Sequence, residues 1–429
     1  MVRADQSSPT DFEGSDFISA ENQLVSYGNP TLRFTHRTAR VTVVLTDYTE
    51  GMASVRLTGL STENGNPAVI APYDKGGDTY TALVAPQSVA TGTAFITCAF
   101  TNGKVFVYKM KEATDWQAGE EYTYTVSLAA AKDPGYTVSE DGRTYNVTSA
   151  DGLKNVAELV NGGKTDINIT LDKNIDLTGK EWTPIGTDYN NAYTGTFDGN
   201  GKTITGLTVT GSDRYTGLFG FIKGTVKNVV LTEINITSGT FVGGVAGWSF
   251  GGNIENCSVS GSVSGSDVGG VVGYQQGGSI TGCSSSATVK GTQRAGGVAG
   301  ATNSGATLTA CYATGDVTVE NDGPNNACAG GVVGSNAYTT VIACYAAGNV
   351  SGTGSGTIHV GGVVGENYAT VTACYWSGLP DNDNGGATKV DGTNVTWQTA
   401  VAAMNAALQS AGSEWRYELT GALPTLKKQ

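Results

Sequence analysis

The chain has 429 residues, 62 glycines and a formal net charge of −13. The negative charge argues against binding to nucleic acid, which requires a basic face. No apolar run reaches the roughly 18 residues of a membrane span, and the length is sufficient for two or three domains.

Residues 1–130 are predicted to form an antiparallel β-sandwich. Apolar and polar residues alternate in six runs, and Asn102-Gly103 between two of them is a strong hairpin signal. Cys98 falls within one run and is predicted to be a core residue, and Ala129–Gly135 is predicted to be a linker. The six predicted strands are Leu32–Leu45, Val55–Leu60, Tyr80–Ala85, Ala94–Phe100, Lys104–Met110 and Glu121–Leu128.

Residues 131–211 are predicted to contain the linker, a capping helix and the first coils of a repeat domain. The helix has Ser149 as its N-cap and ends at Asn161-Gly162. A stack of β-coils exposes unpaired edges, so a cap is expected at each end. The apolar face of the helix is formed by Leu153, Val156, Leu159 and Val160.

Residues 212–378 repeat one glycine-rich phrase six times. Its closing glycines are 27, 26, 27, 34 and 31 residues apart, which is too short a period for independent domains and is typical of a solenoid. The paired glycines allow positive φ and close backbone approach at a corner. The longer spacings predict loops around Asn321–Asn326 and Ser351–Thr357. The phrases are Thr216–Gly220, Gly243–Gly247, Gly269–Gly273, Gly296–Gly300, Gly330–Gly334 and Gly361–Gly365.

Apolar residues recur at fixed positions between the phrases, which indicates side chains pointing into one continuous core. Short Val, Ile and Thr runs between glycines predict parallel strands about 4.8 Å apart, and we expect a right-handed parallel β-helix. The chain is therefore predicted to be all-β, with short capping helices. The aliphatic column is Val226, Ile254, Ile280, Leu308, Val341 and Val371, and a valine column follows at Val263, Val289, Val317 and Val350.

Five of the seven cysteines also share one position of the repeat. Stacked parallel residues are farther apart at Cβ than the ≈ 3.8 Å that a disulfide prefers. A line of thiols also lacks the convergence that a tetrahedral metal site needs. A buried ladder of small apolar side chains is the favoured interpretation. Cys328, in an insertion, is predicted to be the most exposed thiol. The ladder is Cys257, Cys283, Cys311, Cys344 and Cys374.

Residues 379–429 are predicted to form a C-terminal cap. Thr396 is the N-cap of a helix that runs to about Ser410 and covers the last coil or folds back along the side of the solenoid. Asp381–Gly386 resembles part of a Ca²⁺ loop but lacks the terminal Glu of an EF-hand, and an acidic turn is the favoured interpretation. The apolar helix face is Trp397, Ala400, Val401, Met404 and Leu408.

Two groups of aromatic residues are candidate ligand contacts, because aromatic faces on a rigid sheet suit sugar rings or a protein partner. Residues directly after the cysteines should point outward as a ladder, unless the C-terminal segment Trp397–Leu426 packs over them. Residues after the glycine phrases should lie near one corner. The first group is Tyr312, Tyr345 and Tyr375; the second is Trp248, Phe250, Tyr274, Tyr338 and Tyr368.

No catalytic residue, cofactor or metal site is predicted. Glycosidases need two facing carboxylates, whereas the acidic residues of the repeats fall at different phases, and His359 is the only histidine there. The acidic residues considered are Asp213, Glu233, Glu255, Asp267, Asp316, Glu320, Asp322 and Glu366.

Both halves resemble known bacterial surface modules. Leu32–Val43, Ala85-Pro-Gln87 and Trp116–Val126 resemble fimbrillin-like proteins, which build adhesive pili of Gram-negative bacteria, and the glycine phrases resemble the GLUG motif. The resemblance places Leu32 near the middle of a fimbrillin-like subunit. Together with the lack of an apolar signal segment, this favours a chain that starts partway through a longer protein.

The resemblance implies a surface or fimbrial (tip) adhesin exported through the outer membrane. The sandwich would join pilus subunits or a surface anchor, since fimbrillin-type subunits polymerise by lending a strand to a neighbour. The solenoid would display a face for a host or bacterial glycan or a protein. Two alternatives are a structural pilus subunit without its own ligand and a β-helix polysaccharide lyase or glycoside hydrolase.

Overall fold

The structure, a computed structural model, describes residues 2–28, 31–48, 51–101, 105–129, 134–139, 141–211, 213–237 and 239–429. The chain divides into two compact units, residues 1–133 and 134–429. The predicted turn at Asn102-Gly103, residues 130–133 of the predicted linker and Ser212 lie outside the described residues.

The first unit is built from short strands. Each of the six predicted runs contains a strand, and the structure adds one helix and five further strands. In chain order these are β1 (Ile18–Ser19), β2 (Thr35–His36), β3 (Ala39–Thr46), β4 (Met52–Leu57), β5 (Tyr73–Gly76), β6 (Thr79–Val84), β7 (Gln87–Val89), β8 (Ala94–Phe100), β9 (Val105–Lys109), β10 (Thr114–Trp116) and β11 (Glu121–Ser127), with α1 (Pro9–Glu13) before β1.

The predicted sandwich is confirmed as two main sheets around one core. One sheet has the order β11-β3-β6-β5 and the other β4-β8-β9. Phe95, Cys98 and Trp116 are buried in the core. The residues before Leu32 also belong to this unit: Val2 is buried, and the Gln6 amide donates to the Leu83 carbonyl oxygen at 2.8 Å.

One strand pair departs from the antiparallel prediction. β11 lies parallel to β3, with Glu121 opposite Arg40 and Ser127 opposite Thr46, while β3, β6 and β5 pair antiparallel. Alternating apolar residues specify which face of a strand is buried but not the direction of its neighbour. The sequence therefore predicted the strands and not this orientation.

The second unit begins with a helix-capped set of strands and continues as regular coils. Its strands up to the fourth glycine phrase are β12 (Tyr136–Val138), β13 (Thr144–Val147), β14 (Asn168–Leu171), β15 (Ile175–Asp176), β16 (Thr196–Asp198), β17 (Thr203–Thr205), β18 (Thr208–Thr210), β19 (Tyr215–Thr216), β20 (Phe219–Ile222), β21 (Thr225–Lys227), β22 (Val230–Thr237), β23 (Phe241–Gly243), β24 (Ala246–Phe250), β25 (Asn253–Glu255), β26 (Ser258–Gly269), β27 (Val272–Gln276), β28 (Ser279–Thr281), β29 (Ser284–Ser285) and β30 (Thr288–Gly296), with α2 (Ala150–Asn161) after β13.

The remaining strands complete the coils and form a terminal hairpin. They are β31 (Ala299–Asn303), β32 (Thr307–Thr309), β33 (Tyr312–Ala313), β34 (Val317–Glu320), β35 (Ala327–Gly330), β36 (Val333–Asn336), β37 (Thr340–Ile342), β38 (Tyr345–Ala346), β39 (Val350–Thr353), β40 (Ile358–Gly361), β41 (Val364–Asn367), β42 (Val371–Thr372), β43 (Tyr375–Trp376), β44 (Thr388–Lys389), β45 (Trp415–Glu418) and β46 (Thr425–Lys428), with α3 (Trp397–Ser410) after β44.

The coils form a parallel β-solenoid of about 8 turns. Three sheets run along it: a ten-stranded sheet that begins at β12, a 17-stranded sheet that begins at β15, and the six-stranded sheet β20-β24-β27-β31-β36-β41. The predicted register is confirmed, since Val226 pairs with Ile254 and Val263 with Val289 on successive coils.

The thiol ladder, Cys257 to Cys374, is also confirmed, and all five thiols are free and buried. The Cys257 N–H donates to Cys283 Sγ at 3.5 Å, and the Cys311 N–H donates to Cys344 Sγ at 3.4 Å. Each of these thiols in turn lies within hydrogen-bond distance of a carbonyl of the preceding coil, as Cys283 does of Ile254 at 3.5 Å. The sulfur atoms of the ladder therefore link each coil to the next through hydrogen bonds.

The paired glycines of the phrase use close backbone approach, and the left-handed conformation that glycine allows occurs elsewhere in the coil. No paired glycine of the repeated phrase has a φ in the left-handed range. These positions need glycine because a Cβ on Gly297 would lie 2.2 Å from the Gly331 carbonyl oxygen. Left-handed backbone occurs directly before each cysteine of the ladder, at Asn256, Gly282, Ala310, Ala343 and Ala373.

Both predicted helices cap the second unit as expected. Ser149 is the N-cap of α2 and accepts from the Gly152 N–H, and Thr396 is the N-cap of α3. α3 and the β45–β46 hairpin fold back along the solenoid, where Met404 and Trp415 pack around Tyr345 in one buried cluster. None of the helices in the described ranges has the length and hydropathy of a membrane-spanning segment.

Candidate functional site

Two columns of outward side chains flank the glycine phrase on successive coils. Because parallel strands stack in register, equivalent residues of neighbouring coils lie side by side. Both columns begin with aromatic residues and become polar toward the C-terminal coils. The first is Tyr215, Phe241, Asp267, Arg294, Cys328 and His359. The second is Phe221, Trp248, Tyr274, Ala301, Ser335 and Glu366.

The aromatic end of these columns forms one continuous surface, here called the aromatic platform. Trp248 lies at its centre, with ring centroids 4.5 Å from both Phe241 and Tyr274 and 5.9 Å from Phe221, to which it is nearly parallel. Phe221 and Phe241 are buried beneath, and the other rings retain exposed area. The platform is Tyr189, Tyr215, Phe221, Phe241, Trp248, Phe250 and Tyr274.

The platform also contains polar and cationic groups. The Trp248 Nε1 atom is buried and has no hydrogen-bond partner among the described residues. Arg214 lies over the rings of Tyr215 and Phe241, at 5.3 and 5.9 Å from their centroids. Lys223 Nζ lies 3.4 Å from the Tyr189 ring centroid.

An ion pair follows the platform on the next coils. Both Arg294 nitrogens that face Asp267 donate to its carboxylate, at 2.7 and 2.6 Å, and Asp267 is 1% exposed. Burial raises the pKa of Asp267, and the arginine opposes that shift. The Arg294 guanidinium also lies 5.7 Å from the Tyr274 ring centroid. The pair therefore braces one side of Tyr274.

The polar end of the columns brings together groups that the sequence did not connect. Glu366 accepts from Ser335 at 3.3 Å and from Tyr368 at 2.7 Å, and lies 3.5 Å from Cys328 Sγ. His359 is the register partner of Cys328. The prediction that Cys328 is exposed is wrong: it lies within β35, where the in-register stacking buries it to 2% exposure.

The chemistry of this polar end does not favour a cysteine nucleophile. Burial and the Glu366 carboxylate raise the pKa of Cys328 to about 12. A nucleophilic thiol needs the opposite shift, because the thiolate is the reactive form. Among the described residues, no three His, Cys, Asp or Glu side chains are grouped so as to hold a metal ion.

The predicted tyrosine row does not form an open surface. Tyr312 and Tyr345 stack with centroids 4.9 Å apart and rings parallel within 1°. However, Tyr345 is 1% exposed beneath Trp397 and Tyr417, and its hydroxyl donates to the Pro424 carbonyl oxygen at 2.6 Å. The C-terminal segment thus covers the centre of the row. This is the alternative that the sequence left open, in which Trp397–Leu426 packs over these tyrosines.

The second predicted group is only partly brought together. Trp248, Phe250 and Tyr274 belong to the platform, whereas Tyr338 and Tyr368 are 73% and 65% exposed and make no ring contact with it among the described residues. Sequence reasoning missed the remaining four platform residues. Phe221 follows a closing glycine as Trp248 does, so extending that column by one coil would have found it. The missed residues are Tyr189, Tyr215, Phe221 and Phe241.

The possible Ca²⁺ loop at Asp381–Gly386 forms a polar cap. Asp383 Oδ1 accepts the N–H groups of Val363 and Val364, and Oδ2 accepts those of Gly385 and Ala387. Four backbone donors therefore occupy the carboxylate at the centre of the loop.

Comparison with known families agrees with this architecture. Residues 1–141 match the fimbrillin-like family, and residues 238–264 and 264–290 match the GLUG motif. The chain therefore carries a fimbrillin-like domain followed by a GLUG-containing β-solenoid. The match begins at residue 1, so it includes the residues before Leu32, the first of the segments in which the sequence resemblance was seen.

Three known proteins are similar to parts of the chain. Halomucin of Haloquadratum walsbyi is 32% identical over 237 residues, which are 49% of this chain, and the chain spans 2% of halomucin. A candidate immunoglobulin A1 protease of Bacteroides ovatus is 20% identical, with a TM-score of 0.54, over 68% of this chain and 94% of that one. The similarity to the Bacteroides ovatus protein is a similarity of fold.

A candidate cell adhesion protein of Bacteroides uniformis is 18% identical, with a TM-score of 0.24, over 29% of this chain and 59% of that one.

Proposed function

We propose that the protein is a non-enzymatic adhesin whose aromatic platform binds a glycan. The sandwich would join pilus subunits or a surface anchor, as its fimbrillin-like family implies, and the protein would be exported through the outer membrane. The observation that carries the proposal is the platform itself: seven rings, centred on Trp248, on the side of a rigid stack of strands.

The platform suits a sugar better than an apolar partner. Its exposed rings are backed by buried Phe221 and Phe241, so they are held in place before a ligand arrives. Rigid rings lose little conformational entropy on binding and offer apolar faces to pyranose C–H groups. The hydroxyl groups of Tyr189, Tyr215 and Tyr274, whose rings retain exposed area, supply hydrogen-bonding groups at the same surface.

Binding of the purified chain to an array of bacterial and host glycans tests this proposal. We expect at least one hit, and we expect Trp248→Ala to weaken it by about tenfold or more, as loss of a buried aromatic contact does. Because Trp248 also packs against Phe241, a second variant, Tyr189→Ala, removes a ring that is 54% exposed. Tyr27→Ala in the first unit, where the side chain is fully exposed, is the matched control.

Folding of each variant is checked by its thermal unfolding curve. A chain that folds, copurifies with sheared fimbriae and binds no glycan would be a structural pilus subunit. Release of reducing ends or unsaturated sugars from a polymer would show that it is an enzyme. Either result would overturn the proposed adhesin function.

A further inference from the structure

We propose that the aromatic platform selects sugars that carry a negative charge, a carboxylate or a sulfate. This inference rests on the function proposed above. It comes from the distribution of cations around the platform, which the aromatic residues alone do not explain.

Basic residues are scarce among the glycine-phrase repeats, residues 212–378, and most of them lie at the platform. Residues 212–378 contain five lysines and arginines, in a chain with a net charge of −13. Three of them lie over platform rings. The five are Arg214, Lys223, Lys227, Lys290 and Arg294.

Two of the three platform cations have no carboxylate partner. Lys227 pairs with Asp198, and Arg294 with buried Asp267. Among the described residues, Arg214 and Lys223 have no carboxylate within ion-pair distance. Their charge is therefore available to a ligand.

The two unpaired cations lie on opposite sides of the rings. Arg214 covers Tyr215 and Phe241, in the first column. Lys223 is held over Tyr189 by a 3.0 Å hydrogen bond to the Tyr189 carbonyl oxygen, beyond the second column. A sugar stacked on the rings between them would meet a cation on either side.

The charge of the rest of the chain sets the kind of anion that fits. At physiological salt the Debye length is about 8 Å, so distant carboxylates are screened while a cation in contact acts fully. A sugar ring that carries one negatively charged group gains this local contact with a platform cation. A dense polyanion would also meet the negative remainder of the surface. We therefore expect single acidic sugars within a glycan, and we expect their binding to weaken with salt.

Binding of paired oligosaccharides tests the inference. Each pair is an acidic glycan and its uncharged counterpart, one set with a carboxylate and one with a sulfate, and Kd is measured for each. We expect the acidic member to bind about tenfold tighter, the effect of one charge-assisted hydrogen bond. Comparing the two sets identifies which anion is preferred.

The variants separate charge selection from ring stacking. Arg214→Gln with Lys223→Gln should abolish the preference while leaving the neutral member bound, and Trp248→Ala should weaken both members. Lys290→Gln removes a lysine of residues 212–378 that makes no ring contact with the platform among the described residues, and it should change nothing. Equal binding of both members, or loss of the preference in Lys290→Gln, would overturn the inference and leave the adhesin function intact. Binding of neither member would overturn both.

Discussion

Asp383 caps the last coil of the solenoid, because its carboxylate accepts two backbone N–H groups that on other coils donate to the next coil. Removing this carboxylate should open the C-terminal end of the solenoid. On the preceding coil, the N–H groups of Val332 and Val333 donate to the carbonyl oxygen of Val363, at 2.9 and 3.1 Å. On the last coil, Val363 and Val364 instead donate to Asp383 Oδ1, at 2.8 and 2.9 Å. One carboxylate oxygen therefore replaces one backbone carbonyl.

The cost of Asp383→Ala follows from these donors. Val363 and Val364 are fully buried, so their N–H groups would lose their acceptor where water does not reach. The loop bonds to Gly385 and Ala387, at 2.7 and 3.1 Å, would be lost as well. Each unsatisfied buried donor costs about 1–3 kcal/mol, so we expect the last coil to lose about 3 kcal/mol of local stability.

Hydrogen–deuterium exchange measured on peptides that contain Val363 and Val364 is the appropriate assay, because solenoid coils open locally before the whole unit unfolds. Asp383→Asn keeps one acceptor oxygen and should lose less protection than the alanine variant. Asp381→Ala, whose side chain is exposed, is the control and should leave exchange unchanged. Unchanged protection in Asp383→Ala would refute the capping role.

Three further variants or measurements test the packing of the solenoid. Gly297→Ala should destabilise the second unit by about 3 kcal/mol, because its Cβ would overlap the Gly331 carbonyl oxygen; Gly421→Ala, in open space, should not shift the thermal midpoint. Tyr345→Phe loses the bond to Pro424 and should cost about 1 kcal/mol in denaturant unfolding, whereas Tyr345→Ala should cost about 4 kcal/mol. All seven cysteines are buried, so a thiol reagent should label none in the native chain and all in denaturant; labelling of the folded ladder would contradict its burial.

The sequence predicted the solenoid well because its evidence is periodic. Val226, Ile254 and Cys257 hold fixed places in the repeat, and a place that is buried in one coil is buried in all. The two capping helices were predictable for a local reason: Ser149 and Thr396 carry the N-cap chemistry within their own turns.

The sequence failed where distant or aperiodic segments meet. Cys328 was placed in a loop because its coil is longer than the others, yet it lies in register in β35. The parallel pairing of β11 with β3 joins strands from opposite ends of the first unit. Tyr189 reaches the platform from before the first glycine phrase, so no repeat register could place it.

The two aromatic groups show why candidate surfaces on a solenoid need long-range information. Both consist of aromatic residues at recurring places in the repeat, but α3 and the terminal hairpin cover Tyr345 and leave the platform uncovered. One local signal of this cover exists. The residue directly before each ladder cysteine forms a corner with left-handed backbone. This residue is Asn256 on one early coil, but it is alanine at Ala310 and Ala343, where α3 and the terminal hairpin pack.

Left-handed backbone costs alanine about 1–2 kcal/mol relative to its usual conformations. A buried methyl group offsets part of that cost through apolar contact. Alanine at a left-handed corner is therefore expected where another segment packs against it, whereas Asn or Gly suits an open corner. Gly282 is an exception with a steric cause: Trp415 packs so closely on this corner that a Cβ there would lie 2.3 Å from its ring, so the corner needs glycine.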